Sequence, residues 1–393
     1  MTDIAPRIAV VAIGDPESPS LWSGTPSNIV QALRASGAEV IGVDLRSHLD
    51  MPAVDAVALP RVLAGLGRRG LRAGLDRERR VAQQSMVLAR VRARTARRQF
   101  ARIGAIDGVV QMGTGFAVPH RNVVSYEDMT TVQALAWPDT FWGDVPNYMA
   151  EARVRQQASA YKRNRAAAFS TNWAAQSAVT QLDCPPEKAH VVGIGPNFTA
   201  GPVRRRDWAT PRFLFAGREW SRKNGPAVVE AFARVRELFP AAELHLAGHL
   251  PPIDRPGIVS HGHLDLAVPA DRDRMLELWS TATCCVVPSR FEPAGIIYVE
   301  AMHAGIPAIG TTQGGAPDII GDAGRAVDPE DPQALTAAML EFCDPIAAAT
   351  AGQRARRRSE LYSWTRVAAG LQGALGLAYV PRPDAEERRR RVE

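Results

Sequence analysis

Apolar residues fall along this chain in short unbroken runs, separated by stretches where they recur three or four positions apart. The first run, residues 7–13, reads as a buried strand. A Gly-, Pro- and Ser-rich loop follows it. Ile29, Val30 and Leu33 then mark one helix face ahead of a second strand at 39–43. The rhythm returns after Ile106, with strands expected at 108–111, 122–125, 167–170 and 189–193 and a helix over about 147–165. A second series places strands at 213–216, 243–247, 257–261, 283–287 and 307–310. Two helices close the chain, one over 335–342 and one through Leu361, Trp364, Val367 and Leu371. Strands alternating with helices in this way make an α/β fold with doubly wound sheets.

Between the two series, residues 195–211 carry three prolines and Arg204, Arg205 and Arg206, and read as a linker. The expected division is an N-terminal domain over 1–200 with a basic insert at 60–105, a second domain over 209–372, and a polar end at 373–393. A length of 393 residues and 46% hydrophobic content suffice for two cores.

The net charge is +6, but residues 61–102 hold 13 Arg against Asp76 and Glu78, so the rest of the chain is net negative. Basicity confined to one segment, with only Phe100 for stacking, argues against a nucleic-acid partner. Arg79, Arg90, Arg94 and Arg97 are expected on one helical face, opposite Val81 and Leu88, with Arg92 interrupting the apolar side. Such a face suits an anionic membrane surface, a phosphorylated acceptor or plain solvent. Cys184, Cys284, Cys285 and Cys343 have no metal or redox spacing. The N-terminus lacks a signal-peptide layout, and no stretch approaches the roughly 20 apolar residues of a membrane span. A cytoplasmic protein is expected, peripheral at the inner membrane face if the basic segment docks there.

The chemistry concentrates in V-P-S-R-F-E-P-A-G-I-I-Y-V-E-A-M-H-A-G-I-P-A-I-G-T-T-Q-G-G-A-P, residues 287–317. A strand end leads through Glu292, Pro293, Ala294 and Gly295 into a helix, expected to begin near Pro293, that carries Ile296 and Glu300 and ends at Gly305. Its first amides suit an anion. Eight helical residues would separate Glu292 from Glu300 by about 12 Å and roughly 80° around the axis, so the two should touch different parts of one extended ligand.

This paired-glutamate segment resembles the signature of retaining glycosyltransferases of family 4, which have the GT-B architecture of two Rossmann-like domains facing across a cleft. The resemblance implies that Glu292 meets the donor sugar's hydroxyls and Glu300 the nucleotide ribose. It also implies a late helix that crosses back to the first domain. G-R-E-W-S-R-K-N-G at 217–225 is similar to a further family segment, which makes Arg218 and Lys223 the cations on the donor diphosphate. Gly24 and Thr25 match the family's first phosphate-side loop, with Gly14 as competitor. Where relatives often place a histidine, this chain has Tyr126, Glu127 and Asp128; Asp128 would contact sugar or acceptor, or cap the next helix. His261 to His263 mark the expected base-contact region. The resemblance is strong over about 211–370, fair over 1–45 and 165–200, and poor over 46–160.

Asp271 and Asp273 match a D-x-D metal form but stand where aspartates cap and complement a helix start, so no metal is required. The expectation is a retaining, metal-independent transferase that uses a nucleoside-diphosphate sugar as co-substrate and needs no other cofactor. Its acceptor would be a small molecule, a glycan or a lipid-linked group. A GT-B epimerase or phosphorylase, or a non-catalytic sugar-nucleotide-binding scaffold at a membrane, is the alternative. Base, sugar, acceptor and oligomeric state are not written in the sequence.

Overall fold

Each apolar run expected as a strand forms one in the computed structural model, and the pairings are parallel. Residues 5–46, 50–64, 71–137, 141–198 and 206–378 are described. Contacts divide the chain into two units, Met1–Gly193 with Trp364–Glu393, and Ile194–Ser363.

The first unit begins β1 (Arg7–Ala12), α1 (Thr25–Ala35) and β2 (Glu39–Asp44). Three helices follow: α2 (Asp50–Ala64), α3 (Leu71–Ala82) and α4 (Met86–Ile103). Next come β3 (Gly108–Met112), β4 (Val123–Glu127), α5 (Thr131–Leu135), α6 (Asn147–Arg163), β5 (Ala166–Phe169), α7 (Asn172–Gln181) and β6 (Ala189–Val191). The sheet order is β2-β1-β3-β4-β5-β6. Successive side chains of β1 enter opposite layers: Ile8 and Val10 pack with Ile29 and Leu33, Ala9 and Val11 with Ala96 and Phe116. Apolar helices on both faces explain why the strand reads as an unbroken apolar run.

The basic segment differs from expectation. Ser85 accepts a hydrogen bond from Leu88 N at 3.3 Å and starts α4 afresh, so Arg79 on α3 shares no helix with Arg90, Arg94 and Arg97 on α4. Arg79 instead pairs with Asp55 at 2.8 Å. Arg92 does not break the apolar side: it is 3% exposed, lies 3.5 Å from Asp50 and donates to Gln83 O at 3.3 Å. Residues 65–70 of this segment, and Arg204 and Arg205 of the expected linker, lie outside the described residues.

The second unit runs β7 (Arg212–Gly217), α8 (Gly225–Leu238), β8 (Glu243–Gly248), β9 (Ile258–Gly262), α9 (Pro269–Thr281) and β10 (Cys284–Val286). It continues with α10 (Ile296–Ala304), β11 (Ala308–Thr311), α11 (Ala316–Ile320), β12 (Gly324–Val327), α12 (Pro332–Glu341) and α13 (Pro345–Ser359). Its sheet order is β12-β11-β10-β7-β8-β9. Arg206 belongs to this unit, donating to the carbonyls of Trp279, Ala282 and Ala304. The last helix, α14 (Trp364–Ala374), returns to the first unit as expected, although Leu361 stands outside it. Its Val367 and Leu371 join the core beside β1 and β3, and Gln372 accepts from Ser36 at 3.0 Å. No single described helix is long and apolar enough to cross a membrane.

Candidate active site

The second sheet reverses its strand order between β10 and β7. Loops leaving two such strands diverge, and the crevice at their carboxyl ends is the general ligand site of open α/β sheets. Lys223 follows β7 and Glu292 follows β10, 69 residues later, and the reversal brings them together: Lys223 Nζ donates to Glu292 Oε2 at 2.5 Å. Ser289 Oγ donates to the same oxygen at 3.0 Å, and Arg222 Nη1 stands 3.7 Å from it while donating to Phe291 O at 2.6 Å. Ser289 and Arg222 were not anticipated; their nearness to Glu292 and Lys223 in sequence was the available signal.

Glu292 lies outside the helix. Its backbone bridges to Gly314, and its carbonyl accepts from Gly315 N at 3.1 Å. The helix starts at Ile296, not near Pro293, because Gly295 takes φ +87° to turn the chain; a Cβ there would meet the Tyr298 ring at 2.4 Å. Tyr298 in turn donates to Val287 O at 2.7 Å and ties α10 to the end of β10. Pro293 and Ala294 complete this loop, and no side chain caps the first turn of α10. Gly305 ends the helix in the left-handed conformation, as expected.

Burial raises the Glu292 carboxyl, but Lys223, Arg222 and the Ser289 hydroxyl outweigh it and hold the group below 4.5. Glu300 keeps some contact with solvent, yet the protein packed around its carboxyl dominates. Burial pushes it up to about 8, against backbone hydrogen bonds from Asn197 and Phe198 and the charge of Lys223. Arg218 is exposed just past β7 and makes no ion pair with a described residue. Two cations, an uncapped helix start and two carboxylates in opposite ionisation environments thus share one sheet edge. Such a set can hold a diphosphate and orient hydroxyl groups.

In the first unit, Gly24 starts α1 in the left-handed conformation, and Thr25 is buried as the first helical residue. Gly14 is taken up structurally, donating to Asp44 Oδ1 at 2.9 Å. Asp128 follows β4 half-buried, but the next helix is capped by Thr130 and Gln133, so capping does not explain Asp128. Glu127 is buried among Thr114, Gln157 and Tyr161, and burial raises its carboxyl. Gly24, Thr25 and Asp128 belong to the first unit, and Arg218, Lys223, Glu292 and Glu300 to the second.

His263 stacks on His249 with ring centroids 4.4 Å apart, and His261 Nε2 meets His245 Nδ1 at 3.0 Å. Asp271 lies in the first turn of α9 and accepts from Asp265 N at 2.9 Å, while the helix cap is Val268. Asp271 is thus a dipole partner, as expected, but not the N-cap. Among the described residues no three His, Cys, Asp or Glu side chains converge as a metal site.

Residues 210–344 match the family model of glycosyl transferases group 1. The second unit carries a group 1 glycosyltransferase domain. The chain is 28% identical over 207 residues to the MMP alpha-(1->4)-mannosyltransferase of Mycolicibacterium hassiacum, covering 50% of either chain. It is 30% identical over 103 residues to the D-inositol 3-phosphate glycosyltransferase of Streptomyces avermitilis, covering 25% of this chain and 22% of that one. The match thus spans half or less of these curated relatives. Sucrose-phosphate synthase from Thermosynechococcus elongatus shares the fold at a TM-score of 0.63 and 17% identity, over 94% of this chain and 98% of that one. Two parallel six-stranded sheets with flanking helices, together with this likeness, give the chain that carries the glycosyltransferase domain the GT-B fold.

Proposed function

We propose that the protein is a retaining glycosyltransferase that moves a sugar from a nucleoside-diphosphate donor to a small-molecule, glycan or lipid-linked acceptor without a metal. The observation that carries this reading is the Lys223–Glu292 pair at the strand-order reversal, beside the uncapped start of α10. As the donor bond breaks, charge grows on the leaving diphosphate. Arg218, Lys223 and the first amides of α10 are the groups that meet it, and fixed cations and amides stabilise such charge without reorganising. Glu292 orients the sugar's hydroxyls and Glu300 binds the ribose. Neither is cast as a nucleophile: the leaving diphosphate oxygen takes the acceptor proton on the face it departs from. Positioning and charge stabilisation are then the main tasks of the protein.

Gly24 and Thr25 serve the donor phosphate, and Asp128 contacts sugar or acceptor. Within the first unit, Arg90, Arg155 and Arg163 line an open groove of about 470 Å³ together with Met86, Ala89 and Ala93. With the exposed Arg94 and Arg97, it supports peripheral contact with an anionic membrane. The test of the function is a screen of UDP-, GDP-, ADP- and TDP-sugars for slow donor hydrolysis, with and without EDTA. Hydrolysis of one donor, unaffected by EDTA, is the expected result. Nucleotide-sugar binding without any turnover would instead mark a scaffold, and inversion at the sugar's C4 or C2 an epimerase.

A further inference from the structure

Trp22 holds a backbone conformation that tryptophan rarely adopts. Its φ of 47° and ψ of 44° are left-handed, and Ser23 at φ 53° and Gly24 at φ 88° continue the same turn. A bulky residue there is an outlier, sustained only where surrounding structure enforces it. The enforcement is visible on both sides. Gly14 N is tied to Asp44, and Leu21 fills the space beside Gly14. Arg34 makes two bonds to Glu17 at 2.7 and 3.0 Å, and Asn28 Nδ2 donates to Gly24 O at 3.0 Å. All this holds in place a side chain that stays 43% exposed, so burial is not what the strain secures.

The place is specific. The first sheet reverses its strand order between β1 and β3, and Trp22 lies on the loop after β1. Its six-membered ring reaches the loop after β3: a Cβ added to Gly113, which has φ +71°, would lie 3.3 Å from Trp22 Cη2. Asp128 directly follows the next strand over, β4. An exposed, rigidly presented indole is thus set at the first unit's own strand-order reversal, against the Gly113 turn. An exposed aromatic face fits the C–H face of a ring that carries hydroxyls at its rim.

We infer that Trp22 is a specificity-determining platform on which a carbohydrate or cyclitol ring of the acceptor stacks. This rests on the transferase reading above, in which Arg218, Lys223, Glu292 and Glu300 of the second unit are the donor's main determinants and Asp128 of the first contacts sugar or acceptor. The experiment uses the full chain with saturation-transfer NMR on three probes: methyl α-glucopyranoside, methyl α-mannopyranoside and myo-inositol. Transfer to the ring C–H protons of at least one probe is expected from the wild type. Trp22→Gly should lose it at least fivefold, and Trp22→Phe should keep most of it. Glycine takes this conformation freely, so Trp22→Gly should melt at or above the wild-type temperature; a tryptophan kept for structure would lower it. Unchanged transfer in Trp22→Gly, a lowered melting temperature, or no transfer from the wild type to any probe would overturn the platform. Donor hydrolysis by the wild type is scored separately, so loss of the platform and loss of the transferase reading give different results.

Discussion

Lys223→Ala removes the ammonium that lies 2.5 Å from Glu292 Oε2 and leaves a carboxylate only 7% exposed. Breaking a buried pair costs about 3–5 kcal/mol, because the surviving charge is stranded. Here Ser289 at 3.0 Å and Arg222 at 3.7 Å remain, and Glu292 is free to take up a proton. The loss should therefore be smaller, about 2 kcal/mol near neutral pH. Its pH dependence follows from the direction of each shift. With Lys223 present the Glu292 carboxyl sits below 4.5, so its contribution is present above about that pH and fades as pH falls through the folded value. Without Lys223 burial dominates, the carboxyl rises, and the variant loses stability as pH rises through that raised value. The gap between wild type and variant should thus be smaller at about pH 4 than at about pH 7.5, where it is about 2 kcal/mol. Urea denaturation at the two pH values reads it. Adding Glu292→Gln should recover most of the loss at the higher pH. A gap that ignores pH, or a double variant no more stable than the single, would refute a stranded carboxylate as the cause.

Glu300, pushed up to about 8 by burial, binds a proton on folding between 4.5 and 8, so its contribution to stability is lost as pH rises through that window. Glu300→Gln should flatten that part of the stability–pH curve in denaturant titrations. Gly248→Ala should lower the melting temperature by several degrees, because φ is +138° and the added Cβ would lie 1.8 Å from Gly217 O across the β7–β8 pairing. Changing Arg90, Arg94 and Arg97 together to Gln should abolish low-salt sedimentation with anionic vesicles, each Arg contributing about 1 kcal/mol. Arg79→Gln, which loses its pairs with Asp55 and Asp76, should sediment like the wild type.

The strands were legible because a parallel strand covered on both faces writes itself as a continuous apolar run, as Ile8, Ala9, Val10 and Val11 do. β12 was not legible: Gly324-Arg325-Ala326-Val327 is short, with Arg325 exposed at the sheet edge. α13 escaped notice because Ala, Gly and Arg dominate it, and its buried face is made of Ala348, Ala351 and Ala355. The basic segment misled for a different reason. Helical spacing joins Arg79 to Arg90 only if the helix is unbroken, and the Ser85 cap breaks it. Arg92 reads in the sequence as an interruption of the apolar side because its partner, Asp50, lies 42 residues earlier and meets it only when α2 and α4 pack. In the candidate site, the identities of Arg218, Lys223, Glu292 and Glu300 could be read from local segments. That Lys223 and Glu292 touch depends on β7 and β10 being neighbours, and strand order is a property of the whole sheet.

The stereochemistry of donor hydrolysis bears most directly on the proposed chemistry. Proton NMR should be recorded during turnover, in EDTA, before the released sugar mutarotates. Starting from an α-linked donor, the account predicts that the α-anomer appears first and that Arg218→Ala slows its release by about 30- to 900-fold, the equivalent of about 2–4 kcal/mol. A β-anomer appearing first, or an Arg218→Ala variant that releases sugar at the wild-type rate, would contradict it.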